Sequence, residues 1–310
     1  MAQETTTDDN ACLLRFNELK YETIHEIKPF LPLSGSRSCD YSIGGIYMWI
    51  DCFKYHYCIY ENTLFLKGVM EDDTAKVAFS LPLGHLPLAK SINLLREYCE
   101  CSGNKLEFSA IPEERINEFR ALNPSSITSL GHWADYVYDI HQMATFSGKK
   151  MSKKRNHVNH FMGLYPEAVS EPIGPGNLDA VKRCFEEVCS TPPDSAMAKY
   201  ERQQVWHVLD NLSYYGFESL CLRIGDEVAA FTLGEVIGDT LQDHIEKALR
   251  RFEGSGETLF RNFSAATLAK YPQLQYVNRE DDAGDEGLRQ SKLSYNPALM
   301  VNKYNVIFDK

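Results

Sequence analysis

Apolar residues recur in the second half of the chain first at helical and then at extended spacing. After Asn177, a suitable helix N-cap, Val181, Cys184, Phe185 and Val188 lie on one helical face. Val205, Val208, Leu209 and Leu212 predict a second helix that ends near Gly216. Strict alternation follows. Leu220, Leu222 and Ile224 form a strand, Gly225-Asp226 turns the chain, and Val228 to Val236 runs back. Gly238-Asp239 turns it again, and a third strand runs from about Leu241 to Lys247. Next comes a helix carrying Leu259, Phe260, Phe263 and Ala266, closed before Pro272. A strand (Gln275 to Asn278), a short helix (Leu288 to Ser294) and a last strand (Val301 to Phe308) complete the pattern.

The first half repeats this order more faintly. Strands are predicted at Tyr55 to Tyr60, Thr63 to Val69 and Ala75 to Ser80. Leu81-Pro-Leu-Gly84 precedes a helix with Ile92, Leu95 and Tyr98, then a strand (Lys105 to Ser109), a helix (Pro112 to Leu122) and a strand (Tyr136 to Ile140). No residue-level repeat accompanies it, so the duplication is architectural. The connection falls near Ser147 to Asn159, which divides the chain into 1–147 and 148–310. The expected fold class is α+β: two tandem domains, each a mostly antiparallel sheet flanked by helices, with the site in the second.

The 310 residues carry 44% hydrophobic side chains, enough to bury a full core. A net charge of −11 argues against a general nucleic-acid coat but leaves room for one basic groove. That groove has a candidate in Lys149, Lys150, Lys153, Lys154 and Arg155, the one strongly basic run. Met1 to Asn10 lacks the basic start and apolar run of a signal peptide. No apolar run approaches the ~20 residues of a membrane span, so a cytoplasmic location is expected. The nine cysteines form no zinc-knuckle spacing, and Cys58, Cys184 and Cys221 read as buried. The acidic run Glu280 to Glu286 fails the calcium-loop spacing, and no metal is expected. Gly44 to Trp49 reads as core.

The densest chemistry lies in Tyr276 to Pro297, where charges of both signs surround Gly284 and Gly287. On the third strand, alternation puts Gln242, His244 and Glu246 on one face, with Glu235 of the neighbouring strand pointing the same way. The order of elements resembles the GCN5-related N-acyltransferase fold. Arg251, Gly254 and Gly256, just after that strand, resemble its phosphate loop, where backbone N–H groups and a helix dipole meet a pyrophosphate. Pro82-Leu-Gly84 of the first half lacks the second glycine.

Five segments together resemble the C-terminal catalytic domain of phosphatidylglycerol lysyltransferase. They are Tyr47 to Trp49, Asp135 to Asp139, Gly148 to Phe161, His244 to Ala248 and Val277 to Pro297. The resemblance implies tandem acyltransferase halves and aminoacyl transfer from charged tRNA to a small-molecule or headgroup amine or hydroxyl. The basic run would then contact tRNA. Glu280, Asp281 and Asp282 would meet an aminoacyl ammonium, and Arg279, Arg289 and Lys292 would face phosphates. His244, Lys247, Asn278 and Tyr295 complete the expected substrate site. Glu246 or Glu280 is the expected proton acceptor, and backbone amides near Lys247 would hold the oxyanion. No cofactor is required, and the donor is either aminoacyl-tRNA or an acyl-CoA. Two alternatives stand beside aminoacyl transfer: an acyl-CoA-dependent N-acyltransferase of a small amine, and a binding protein that kept the fold without catalysis. The lipid-modifying relatives carry a long membrane domain, and no such segment is in this sequence.

Overall fold

The computed structural model describes residues 12–70, 73–193 and 195–309; Met1 to Asn10 lies outside them. The chain forms two compact units. One comprises residues 1–36, 50–131 and 302–310, and the other residues 37–49 and 132–301.

In the first unit, the strands His56–Tyr60, Thr63–Val69 and Val77–Phe79 pair antiparallel in sequence. The helix Leu88–Ser102 then leads to Leu106–Pro112, which lies parallel to Val77–Phe79. The second unit repeats the plan. Glu218–Ile224, Glu227–Ile237 and Thr240–Ala248 form the meander. The helix Ser255–Lys270 follows, and Tyr276–Asn278 returns parallel to Thr240–Ala248. The α+β duplication read from the sequence is therefore present.

The boundary at 147/148 is corrected. Asp135–Asp139 pairs with Tyr276–Asn278 in the second sheet, and Lys303–Phe308 pairs with Leu106–Pro112 in the first. Each half thus gives its last strand to the sheet of the other. The predicted strand Val301 to Phe308 is also two strands, Leu299–Val301 in the second sheet and Lys303–Phe308 in the first. Alternation marks a strand but does not say which sheet edge it completes. The predicted connection near Ser147 to Asn159 is a short 3-10 turn, Lys149–Met151, running into the helix Ser152–Leu164.

In the second unit Val181, Phe185, Val205, Val208 and Leu209 of two helices are buried, as are Phe231, Leu233, Leu241 and Ile245 of the sheet, with the Phe185 ring against that of Phe231. Each of these side chains is at most 0% exposed, so the helical faces predicted from spacing are the buried ones. Cys58, Cys184 and Cys221 are buried, as read. Among the described residues no helix is long and apolar enough to cross a membrane.

Candidate active site

The site begins with an irregularity in the strand Thr240–Ala248. Against Glu227–Ile237, Gln242 faces Glu235, Asp243 faces Gly234, Ile245 faces Leu233 and Glu246 faces Thr232. His244 has no opposite number, which makes a β-bulge. The bulge ends strict alternation. Asp243 and Glu246 come onto the face of Thr232, whose hydroxyl donates to Asp243 Oδ1 at 2.6 Å. The expected single face of Gln242, His244 and Glu246 is thus corrected. Gly234 allows the close approach, since a Cβ there would lie 2.2 Å from the Gln242 carbonyl oxygen. On the other edge, Thr240–Ala248 pairs with Tyr276–Asn278 only as far as Gln242 and Asn278. Beyond Gln242 that edge has no strand neighbour, and the turn 279–282 stands beside it.

His244 is the centre of a buried chain of charges. Its side chain is 0% exposed; Nε2 lies 3.1 Å from Glu235 Oε1 and Nδ1 lies 2.7 Å from Glu280 Oε1. The Gly44 N–H donates to Glu235 Oε1 at 2.8 Å. Burial works against a charged imidazole, but the two carboxylates outweigh it and hold His244 at a pKa of about 10. Gly44 is as tightly placed: a Cβ there would lie 2.3 Å from His244 Cδ2. The segment Gly44 to Trp49 therefore includes a support of the site as well as core.

Glu280 is the end of that chain that reaches solvent, its side chain 25% exposed. Its φ of +61° is costly for a residue with a Cβ, about 1–3 kcal/mol. Three contacts hold it there. Its N–H donates to Asn278 Oδ1 at 2.6 Å, its carbonyl accepts from the Tyr136 N–H at 3.1 Å, and His244 holds its carboxylate. Asn278 itself is fully buried and donates to Arg37 O and Asp135 Oδ2, so it supports the turn.

Arg279, Arg289 and Lys292, expected to face phosphates, each bond to protein groups. Arg279 Nη2 donates to both oxygens of Glu246 at 2.9 Å, and its guanidinium lies 4.3 Å from the Phe260 ring centre and 4.8 Å from that of Tyr295. Arg289 closes on Asp282 with two bonds of 2.9 Å. This pairing, with the Tyr136 hydroxyl and the Gly284 N–H, holds the Asp282 carboxyl down at about 2. Asp282 is therefore occupied within the turn. Lys292 is buried and donates to the carbonyls of Arg279 and Asp281. Tyr295 is buried in an aromatic cluster with Tyr138, Phe146 and Phe260. Lys247 pairs with Glu201 at 2.6 Å. Cys39, Asp135 and Asp281 bring ligand atoms within 4.8 Å of one another, but the Lys292 ammonium already supplies positive charge to both aspartates. Asp281 Oδ1 accepts from the Ala283 N–H at 2.7 Å.

Residues 31–307 match the family model described as phosphatidylglycerol lysyltransferase, C-terminal. The chain belongs to this family. A conserved protein of unknown function from Bacteroides thetaiotaomicron superposes with a TM-score of 0.86 at 25% identity, over 96% of this chain and 100% of that one. L-PGS from Bacillus licheniformis shares the fold, with a TM-score of 0.63 at 14% identity over 92% of this chain and 91% of that one. FemX does so with a TM-score of 0.58 at 8% identity, over 95% and 97% of the two chains. An uncharacterised protein of Mycoplasmoides gallisepticum is 23% identical over 56% of this chain. The chain spans about half (55%) of the length of that curated relative. Family and fold agree: the chain belongs to the family of the phosphatidylglycerol lysyltransferase C-terminal region and has the fold of L-PGS and FemX.

Within this family fold, the loop read as a phosphate cradle is occupied by protein. Arg251 holds Glu187 at 2.8 and 2.9 Å and also bonds Glu227. Gly254, at φ +83°, is buried beneath the helix Ser152–Leu164; a Cβ there would lie 2.4 Å from the His157 carbonyl oxygen and 3.1 Å from Phe161 Cβ. The Ser255 N–H is bonded to Phe252 O. At Gly256 a Cβ would sit 3.7 Å from Ala248 Cβ, so the helix Ser255–Lys270 runs close to the strand Thr240–Ala248. Gly254→Ala should cost about 2–5 kcal/mol, combining left-handed strain with a clash against a backbone carbonyl. Urea unfolding checks this, and a loss below about 1 kcal/mol would show that the two helices separate easily.

The basic run divides in two. Lys149, Lys150 and Lys153 are exposed. Lys154 is turned inward: its side chain is 13% exposed, and Nζ lies 3.8 Å above the Tyr295 ring and 3.5 Å from Glu257. Burial lowers its pKa. Arg155 donates to the carbonyls of Phe146 and Gly148. Lys154 and Arg155 therefore support the site, and three lysines remain free to meet a polyanion.

Asp243, Gly44 and Tyr136 were missed from the sequence. The only signal for Asp243 was its place on a charged strand, and alternation put it on the wrong face. Gly44 and Tyr136 lie far away along the chain, and no local pattern links them to His244 or Glu280.

Proposed function

We propose that the chain transfers an aminoacyl group from charged tRNA to an amine or hydroxyl of a small molecule or headgroup, by direct attack. The covered start of the helix Ser255–Lys270 carries this reading. An acyl-CoA enzyme of this fold uses that helix start for the pyrophosphate. Here Gly254 lies under His157 and Phe161, and Arg251 is paired with two glutamates. The exposed Lys149, Lys150 and Lys153 suit a phosphate backbone. Fold likeness to L-PGS and FemX supports the same class.

Glu246 is the proton acceptor in this reading, because it lies on the strand edge that has lost its neighbour. Backbone N–H groups of that edge near Lys247 would meet the oxyanion. Glu280, fixed by His244 and Asn278, is the anion for the aminoacyl ammonium, with Asp281 beside it. Both glutamates are ion-paired, yet 20% of the Glu246 side chain and 25% of that of Glu280 stay exposed, so substrate groups can reach them. No cysteine or serine is used as a nucleophile, and no covalent intermediate is required.

Thermal-shift titrations with coenzyme A, acetyl-CoA and bulk charged tRNA test the donor. The expected result is a salt-sensitive rise in melting temperature with charged tRNA alone. A rise with coenzyme A alone would make the protein a small-molecule acyltransferase.

A further inference from the structure

The carboxyl of Asp243 has no part in the reading above, yet it lies deepest in the site. Thr232 satisfies its Oδ1, but Oδ2 is enclosed and meets no hydrogen-bond donor among the described residues. Glu246 shares its face of the sheet, since the bulge brings both side chains to the side of Thr232, and its charge acts on Asp243. Arg279, the cation bonded to Glu246, uses a single nitrogen, Nη2, for both of its oxygens, while its Nη1 is enclosed without an acceptor among the described residues. The other titratable groups that face this cluster are Tyr138 from the strand Asp135–Asp139, Tyr295 after the helix Glu286–Leu293, Glu257 from Ser255–Lys270 and Lys154 from Ser152–Leu164. None of these places a donor between the two carboxyls. Two neighbouring carboxylates on one buried face with no donor for Oδ2 repel strongly, whereas one proton on either supplies a hydrogen bond.

We propose that Asp243 and Glu246 hold one proton between them, and that Asp243 is thereby the positioning residue that aims Glu246 at the unpaired edge of the strand Thr240–Ala248. The catalytic consequence rests on the reading of Glu246 as proton acceptor. As the nucleophile forms its new bond to the aminoacyl carbonyl carbon, its proton moves to Glu246. The departing ribose oxygen takes that proton as the ester C–O bond breaks. The pair starts and ends the cycle with one proton. Desolvation first, and then the charge of Glu246, push the Asp243 carboxyl well above the usual range, in keeping with a proton held by the pair.

Infrared spectroscopy of the full chain between about pH 5 and pH 9 tests the shared proton. A protonated-carboxyl band should persist at neutral pH and disappear as the pH rises. Asp243→Asn should abolish it, because the amide accepts from Thr232 and donates permanently to Glu246. Glu246→Gln should abolish it too, since a glutamine amide donates to an ionised Asp243 that then balances Arg279. No such band in the wild type, or a band that survives both substitutions, overturns the proposal. The positioning role is read from the pH profile of aminoacyl release from bulk charged tRNA. The wild type should change rate on the alkaline side as the shared proton leaves, and Asp243→Asn should not. Profiles of the same shape overturn that role. If the wild type releases nothing at any pH, the proposed function fails while the infrared result still decides the shared proton.

Discussion

Replacing His244 with alanine should destabilise the protein by about 3–5 kcal/mol, the cost of removing one partner from a buried ion pair. Glu235 is only 4% exposed and would keep the Gly44 N–H as its hydrogen-bond donor, having lost the ion pair with His244. Glu280 would lose the contact that holds its carboxylate while still carrying a φ of +61°. The effect has a pH signature. The pKa of His244 rises from 6.5 to about 10 on folding, so its contribution is fully present below about 6.5 and is lost as the pH rises through about 10. Wild-type stability should therefore fall between about pH 7 and pH 10, and His244→Ala should be flatter over that window. Urea unfolding at the two pH values measures both. Overlapping curves for the two proteins at pH 7 would mean that the buried triad contributes little.

Glu246→Gln should lower aminoacyl release from charged tRNA by about 10²- to 10⁴-fold, the usual contribution of a positioned general base. Glu280→Gln should act mainly through KM, since in the proposed site Glu280 binds the ammonium and does not take the proton. The two glutamates are equivalent in the sequence and differ in the structure. Glu246 stands on the strand whose edge is open beyond Gln242, against Arg279 and Asp243. Glu280 stands in a strained turn and closes the chain from Gly44 through Glu235 and His244. Comparing kcat and KM for the two variants separates the roles. Wild-type rates in both variants would remove the mechanism.

Local pattern was enough for the meander of the second unit. The glycines of Gly225-Asp226 and Gly238-Asp239 adopt φ of +58° and +59°, values that turns of this kind require and that a residue with a Cβ rarely adopts. The helix Leu178–Val188 buries Val181, Cys184 and Phe185, the stripe that its spacing marks. That the charges of Tyr276 to Pro297 would be partnered was also legible, because so many opposed charges beside a short apolar element need partners. Their individual partners were not legible. Arg289 bonds seven residues back to Asp282, and Lys292 reaches the Arg279 carbonyl; both contacts depend on how the helix Glu286–Leu293 folds over the turn.

The sequence by itself determined the order of elements, the duplicated α+β plan and the segment in which opposed charges gather, because periodicity, turn residues and charge are local properties. Tertiary structure alone decided three things. It exchanged the last strands between the two sheets, since a strand's own pattern does not say which sheet it joins. It placed a bulge at His244, which moved Asp243 beside Glu246, because the register of a ladder depends on a partner strand that alternation does not contain. And it covered Gly254 with the helix Ser152–Leu164, giving to helix packing a glycine that local context had assigned to phosphate.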